Sequence, residues 1–169
     1  NHLPIMLKTL KNDFFDDFKV LIGVAPEINK DVFLSYDLNR ATLINNNSEQ
    51  ALAVADFAWV GSGTSTLQAI LFNIPFVLVY KTSYLSWFLM KRFVKVPYAG
   101  MPNIIYNGLL IPELLQENFT SINLINETKR FFDDSIYRKS LFDGYAIIKK
   151  KLGSSGASMK AAKIILGIK

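Results

Sequence analysis

The chain has 169 residues, a formal net charge of +5 and 50% hydrophobic residues, enough for one domain with a sizeable core. It has no cysteine, which excludes a disulfide scaffold, a thiolate metal site and a Cys nucleophile. A single histidine, His2, excludes a multi-His metal site and leaves no room for a His-bearing catalytic triad built from later residues.

Leu3, Met6, Leu7 and Leu10 recur at helical spacing and predict a first helix. The apolar run 18–25 predicts a buried strand, and Pro26 with Glu27 suits the first turn of a following helix. Residues 41–44 predict a second strand. The loop Asn45, Asn46, Asn47, Ser48 ends in a plausible N-cap, Ser48, for a short helix over 49–55. Residues 57–60 form a third predicted strand, followed directly by Gly61, Ser62, Gly63 and Thr64. A helix over 65–73 stops at Asn73 and Pro75. The fourth strand, 76–80, is almost continuously apolar. Such strands alternating with helices predict an α/β fold, a parallel sheet covered by helices on both faces. Beyond Tyr80 the pattern changes. Residues 83–93 predict an aromatic-rich helix, 97–112 a loop punctuated by Pro and Gly, and 113–168 three or four helices, the last over 157–168.

The mean hydropathy is +0.22, high for a soluble domain. No run of 18 or more apolar residues is present, so no transmembrane helix is expected, and the first residues lack the pattern of a secretory signal. The charge is regional. Residues 1–80 carry five basic and eight acidic groups, and 128–169 carry ten basic and three acidic. Residues 81–112 hold Lys81, Lys91, Arg92 and Lys95 and no acid. An acid-free basic stretch favours an anionic partner, although a solvated basic face would have the same composition.

The turn after the third strand carries the chemistry. Its glycines let backbone approach an anion, and Ser62, Thr64, Ser65 and Thr66 add hydroxyls, at the carboxyl edge where open α/β sheets bind ligands. It is neither a P-loop nor a full dinucleotide fingerprint, and glycines at a strand–helix turn also occur without a ligand. Gln68 lies one helical turn on and can face the same pocket or solvent. Asn103, beside Pro102 and near Tyr98, either makes local turn bonds or reads a base or sugar. Glu113 and Gln116, read on one short helix, share a face but make a poor acid–base pair, since only one titrates. Tyr84, Trp87, Phe88 and Lys91 recur at helical spacing, a pattern that suits either a membrane interface or packing on the sheet.

Taken together, residues 55–68, 73–80, 91–98 and 101–104 resemble lipid-A-disaccharide synthase. The order is a Ser-Gly-Thr turn, a Pro-led strand, a Trp-bearing helix, a Lys-Arg and Val-Lys run, then Pro102-Asn103 and the Pro-Glu-Leu-Leu-Gln stretch 112–116. The Gly-Ala-Ser tail within 152–162 is also similar. The resemblance implies the C-terminal half of a GT-B glycosyltransferase fold, with residues 1–169 as a nucleotide-sugar-binding domain truncated at its N-terminal end and without the N-terminal acceptor domain. It implies inverting transfer, without metal or cofactor, from UDP-2,3-diacylglucosamine to 2,3-diacylglucosamine 1-phosphate. The general base would lie outside this chain, which should not turn over alone. Ser62, Gly63, Thr64, Thr66, Gln68, Tyr98, Asn103, Glu113 and Gln116 would hold the UDP-sugar. Trp87, Phe88, Lys91, Arg92 and Lys95 would meet lipid or membrane. Position 68 carries a glutamate in many members and Gln here, which removes a charge-assisted bond to ribose. The implied setting is the cytoplasmic face of the inner membrane, with peripheral attachment, no nucleic acid, and a homodimer as one allowed assembly. The competing readings are another UDP-sugar enzyme such as an epimerase, or a basic membrane-binding module.

Overall fold

The computed structural model describes residues 2–38, 40–45, 47–93, 96–153, 156, 159, 162 and 164–166. In chain order the elements are α1 (Leu3–Thr9), β1 (Leu21–Val24), β2 (Thr42–Asn45), α2 (Ser48–Ala53), β3 (Ala58–Gly61), α3 (Ser65–Leu71), β4 (Phe76–Tyr80), α4 (Tyr84–Phe93), α5 (Met101–Tyr106), β5 (Glu113–Leu115), α6 (Ser121–Asp133) and α7 (Ser135–Leu152). Short 3-10 turns occupy Asp13–Phe15, Lys30–Ser35 and Gln116–Asn118.

All strand pairs are parallel, β1 with β2 and β4 between β3 and β5. The architecture is therefore Rossmann-like α/β, with the strands hydrogen-bonded as two sheets rather than one. β4 shows why its sequence is apolar throughout: Phe76, Val77, Leu78 and Val79 are all buried. Phe76 and Leu78 face a core that includes Ile70 of α3 and Leu141, Tyr145 and Ile148 of α7. Val77 and Val79 face the other way, with Phe119, Leu124 of α6 and Met6 of α1. A strand buried on both sides has no polar face to alternate with. The aromatic cluster of Phe15, Phe18 and Trp59 joins β1 and α1 to the larger sheet, and the Trp59 indole N–H donates to Thr128 Oγ1 at 3.1 Å.

Several predicted elements change. The helix expected after Pro26 is a turn and then a 3-10 segment, capped by Asn29, whose side chain accepts from the Asp31 N–H. Val32 and Leu34 there are exposed and Phe33 alone of the three is buried, too little apolar contact to hold a longer helix. The cap of α2 is Asn47 rather than Ser48, with Asn47 Oδ1 accepting from the Gln50 N–H. The loop expected over 97–112 contains α5, with Pro102 in its first turn and Asn107 ending it in the left-handed conformation. Glu113 lies in a strand rather than a helix, and Gln116 begins the following turn at φ 49°. The helix expected over 157–168 falls largely outside the described residues.

Candidate functional site

Because β3, β4 and β5 are parallel, their carboxyl ends open on one edge, where Gly61, Tyr80 and Leu115 are the last residues. The segments leaving this edge hold most of the predicted site. Ser62, Gly63 and Thr64 form the exposed turn from β3 into α3. Gly63 has φ 152°, which a side chain would strain. Thr66 is buried, and its hydroxyl donates to the Gly63 carbonyl at 2.7 Å. Thr66 therefore sets the turn from behind, its hydroxyl held by the Gly63 carbonyl.

The wall opposite is built by residues 97–113. The Glu113 carboxylate accepts the backbone N–H of Ala99 through Oε2 and of Gly100 through Oε1, each at 2.9 Å. Glu113 Oε1 also accepts from Asn103 Nδ2 at 2.8 Å. The same amide nitrogen donates to the Ile111 carbonyl, while Asn103 Oδ1 accepts the N–H groups of Leu110 and Ile111. Asn103 is 0% exposed with both amide hydrogens and both oxygen lone pairs used. Its amide is engaged by its own loop and by Glu113. Gly100 is required by the same packing, since a Cβ there would lie 2.6 Å from Leu78 Cδ1 and 3.1 Å from Glu113 Oε1. The clamp reaches the turn across the edge, because Ser62 Oγ donates to the Ala99 carbonyl at 3.4 Å. Tyr98 is half-buried just before it.

A second pair of contacts fixes the exit from β4. Gln116, buried at the end of β5, accepts the Thr82 N–H through Oε1 at 2.9 Å, and its Nε2 donates to the Thr82 carbonyl at 3.4 Å. The Lys81 N–H donates to His2 Nε2 at 2.8 Å. Burial holds the His2 pKa below its ordinary 6.5 and favours this acceptor form. A cavity of about 250 Å³ opens here, lined by Lys81, Thr82, Tyr84, Gln116 and Glu117. The exit leads into α4, where Ser83 Oγ accepts the Ser86 N–H. Tyr84, Leu85, Phe88 and Leu89 on this helix are 79%, 69%, 62% and 46% exposed. Phe88 and the exposed Arg92 thus face outward, while Trp87 is half-buried. Lys95 and the side chain of Lys91 lie outside the described residues. No helix among the described residues is long and apolar enough to cross a membrane.

Gln68 is half-buried on α3, and its Nε2 donates to Glu49 Oε1 of α2 at 2.6 Å. Sequence reasoning singled out Gln68 but not Glu49, Leu85, Leu89 or the Ala99–Gly100 backbone. The exposed leucines had a signal in the helical period of their neighbours. Glu49 had none, because its partner is nineteen residues away.

Residues 3–165 match the family model described as lipid-A-disaccharide synthetase. The chain belongs to this family. It is 30% identical over 170 residues to lipid-A-disaccharide synthase 1 of Legionella pneumophila (strain Philadelphia 1), which covers 98% of this chain and 44% of that protein. It is 37% identical over 120 residues to the lipid-A-disaccharide synthase of a Sulfurihydrogenibium species, covering 71% of this chain and 31% of the relative. For the Pseudomonas putida F1 protein of the same name the identity is 37% over 127 residues, 75% of this chain and 33% of the relative. The chain thus spans less than half the length of these curated relatives. Family membership accounts for the turn, the clamp and the aromatic helix falling within one continuous matched region.

Proposed function

We propose that this chain is the donor-binding domain of an inverting, UDP-sugar-dependent glycosyltransferase of lipid A biosynthesis, the C-terminal half of a GT-B fold. The observation that carries the reading is the joined edge: the Ser62–Thr64 turn tied through Ser62 to the Glu113–Asn103 clamp, inside the matched region. The donor would be a UDP-diacylglucosamine and the acceptor an acylated glucosamine 1-phosphate. As the glycosidic bond to the donor breaks, the UDP diphosphate gains negative charge. The backbone N–H groups of Ser62, Gly63 and Thr64 and the Thr64 hydroxyl would meet it, while the Ser62 hydroxyl ties the turn to the Ala99 carbonyl. The clamp residues act one layer behind: Thr66, Asn103 and Glu113 position backbone, and Gln116 positions Thr82. Tyr98 would line the sugar side of the edge. The base that deprotonates the acceptor hydroxyl would come from residues outside this chain, so the chain alone would bind without turnover.

Both substrates carry acyl chains, and α4 supports a lipid-facing role. Its exposed Tyr84, Leu85, Phe88 and Leu89, with Arg92 nearby, combine an apolar surface with a cation for anionic headgroups. The reading places this chain at the inner face of the membrane as a peripheral protein. The test is calorimetric titration of the chain with UDP, followed by turnover of the longer protein on acylated and unacylated UDP-glucosamine. Binding of UDP and a requirement for the acylated donor are expected. An unchanged rate with the unacylated donor would favour another UDP-sugar enzyme, and vesicle binding without UDP affinity a membrane module.

A further inference from the structure

The exit from β4 carries two opposite charges that face one cavity without pairing. Lys81 and Glu117 both line the space of about 250 Å³, with Thr82, Tyr84 and Gln116. Among the described residues, neither forms an ion pair with the other or with a third group. The backbone beneath them is held from two sides. His2 Nε2 accepts the Lys81 N–H, and Gln116 closes on both the N–H and the carbonyl of Thr82. Gln116 does so at φ 49°, a left-handed backbone that a non-glycine residue adopts only under strain, and that strain sits in the cavity wall. These bonds use the Thr82 backbone and leave its hydroxyl to the cavity. β4 neighbours β3 in the sheet, so the cavity opens one strand over from the Ser62–Thr64 turn. Tyr84 on its rim begins α4, whose Leu85, Phe88 and Leu89 are exposed.

A cation, a hydroxyl and a carboxylate on one wall, with an apolar helix at the mouth, match a molecule that is anionic, hydroxylated and acylated. We infer that this cavity binds the headgroup of an acylated sugar phosphate monoester. The Lys81 ammonium meets the phosphate, Glu117 accepts sugar hydroxyls, and the acyl chains lie along α4. Glu117 repels added negative charge, which favours a single phosphate with hydroxyl donors over a diphosphate. The space is below the roughly 300–1,000 Å³ usual for a ligand site, so it admits one small headgroup and leaves the chains outside. This rests on the reading that the chain serves a transferase of acylated sugars. It sets the phosphorylated acceptor beside the donor turn, on the same sheet edge.

The experiment is calorimetric titration of the chain and of its Lys81→Gln, Lys81→Arg and Glu117→Gln variants. The ligands are soluble dihexanoylglucosamine 1-phosphate, the same sugar without its phosphate, dihexanoyl phosphatidic acid and UDP. The parent is expected to bind the acylated sugar phosphate about tenfold or more tighter than its dephosphorylated form or the phosphatidic acid. Lys81→Gln should abolish the preference for the phosphate, Lys81→Arg should keep it, and UDP affinity should change in neither. Glu117→Gln should narrow the margin over phosphatidic acid. A Lys81→Gln variant that binds the sugar phosphate as the parent does would overturn the inference. So would an equal loss of UDP affinity, which would assign Lys81 to the donor diphosphate. Phosphatidic acid binding as tightly as the sugar phosphate would also overturn it, marking a membrane-lipid contact. The parent's ligand order needs no variant, so the inference can fail even where Lys81→Gln does not fold. UDP binding without sugar phosphate binding would remove the inference and leave the donor site standing. Binding of neither would remove both.

Discussion

Asn103→Ala removes four hydrogen bonds at once from a residue with no exposure. The cost follows from which partners can find water. Glu113 Oε1 keeps the Gly100 N–H, and Leu110 is half-buried. Ile111 is 0% exposed, and both its N–H and its carbonyl lose their partner. Two orphaned buried backbone groups at about 1–3 kcal/mol each give a destabilisation of about 2–6 kcal/mol. That is a large share of a typical domain stability of about 5–15 kcal/mol. A mid-range loss of about 4 kcal/mol lowers the melting temperature by about 8–16 °C for a chain this size. Asn103→Asp is the informative companion. It keeps both accepted bonds, but sets a carboxylate oxygen against Glu113 Oε1 and the Ile111 carbonyl, so a comparable loss is expected at neutral pH. Urea unfolding followed by circular dichroism measures both. If Asn103→Ala costs less than about 1 kcal/mol while UDP affinity falls tenfold, Asn103 contacts the ligand directly and the clamp argument is wrong.

Gly100→Ala should weaken UDP binding and stability together, because its Cβ would press on both Leu78 and the Glu113 carboxylate; titration and melting of one variant test it. Gly144→Ala places a Cβ 2.4 Å from both Leu110 methyls, so a loss of about 1–3 kcal/mol in denaturant unfolding is expected, with little change in ligand affinity. For His2, the folded pKa is depressed, so the unfolded chain binds the extra proton. Its contribution is complete above about pH 6.5, and stability should fall as the pH drops from there toward the lowered folded value. Melting curves across that window should flatten in His2→Gln, whose amide oxygen can still accept the Lys81 N–H. Leu85→Ser with Phe88→Ser should reduce sedimentation with anionic phospholipid vesicles by tenfold or more, since each lost apolar side chain forgoes about 1.5–3 kcal/mol of burial. Unchanged sedimentation would remove α4 from the lipid contact.

The amino-acid sequence by itself determined the parts whose physics is local. The unbroken apolar run Phe76–Val79 reads as a strand covered on both faces, and it is buried on both. The turn at Gly61–Thr64 and the aromatic helix after Tyr80 were legible for the same reason, through residue types that constrain their own backbone or repeat at a helical period. Residues 113–115 were not. A three-residue strand shows no period, and its hydrogen bonds come from β4, more than thirty residues away. Asn103 could be read as a turn-former or as a ligand-reading amide until its four hydrogen bonds were known, and Gln68 as a surface or pocket residue until Glu49 was found against it. Polar side chains commit to whichever partner the packing brings within about 3 Å. Tertiary structure alone decided which partner each of these amides found.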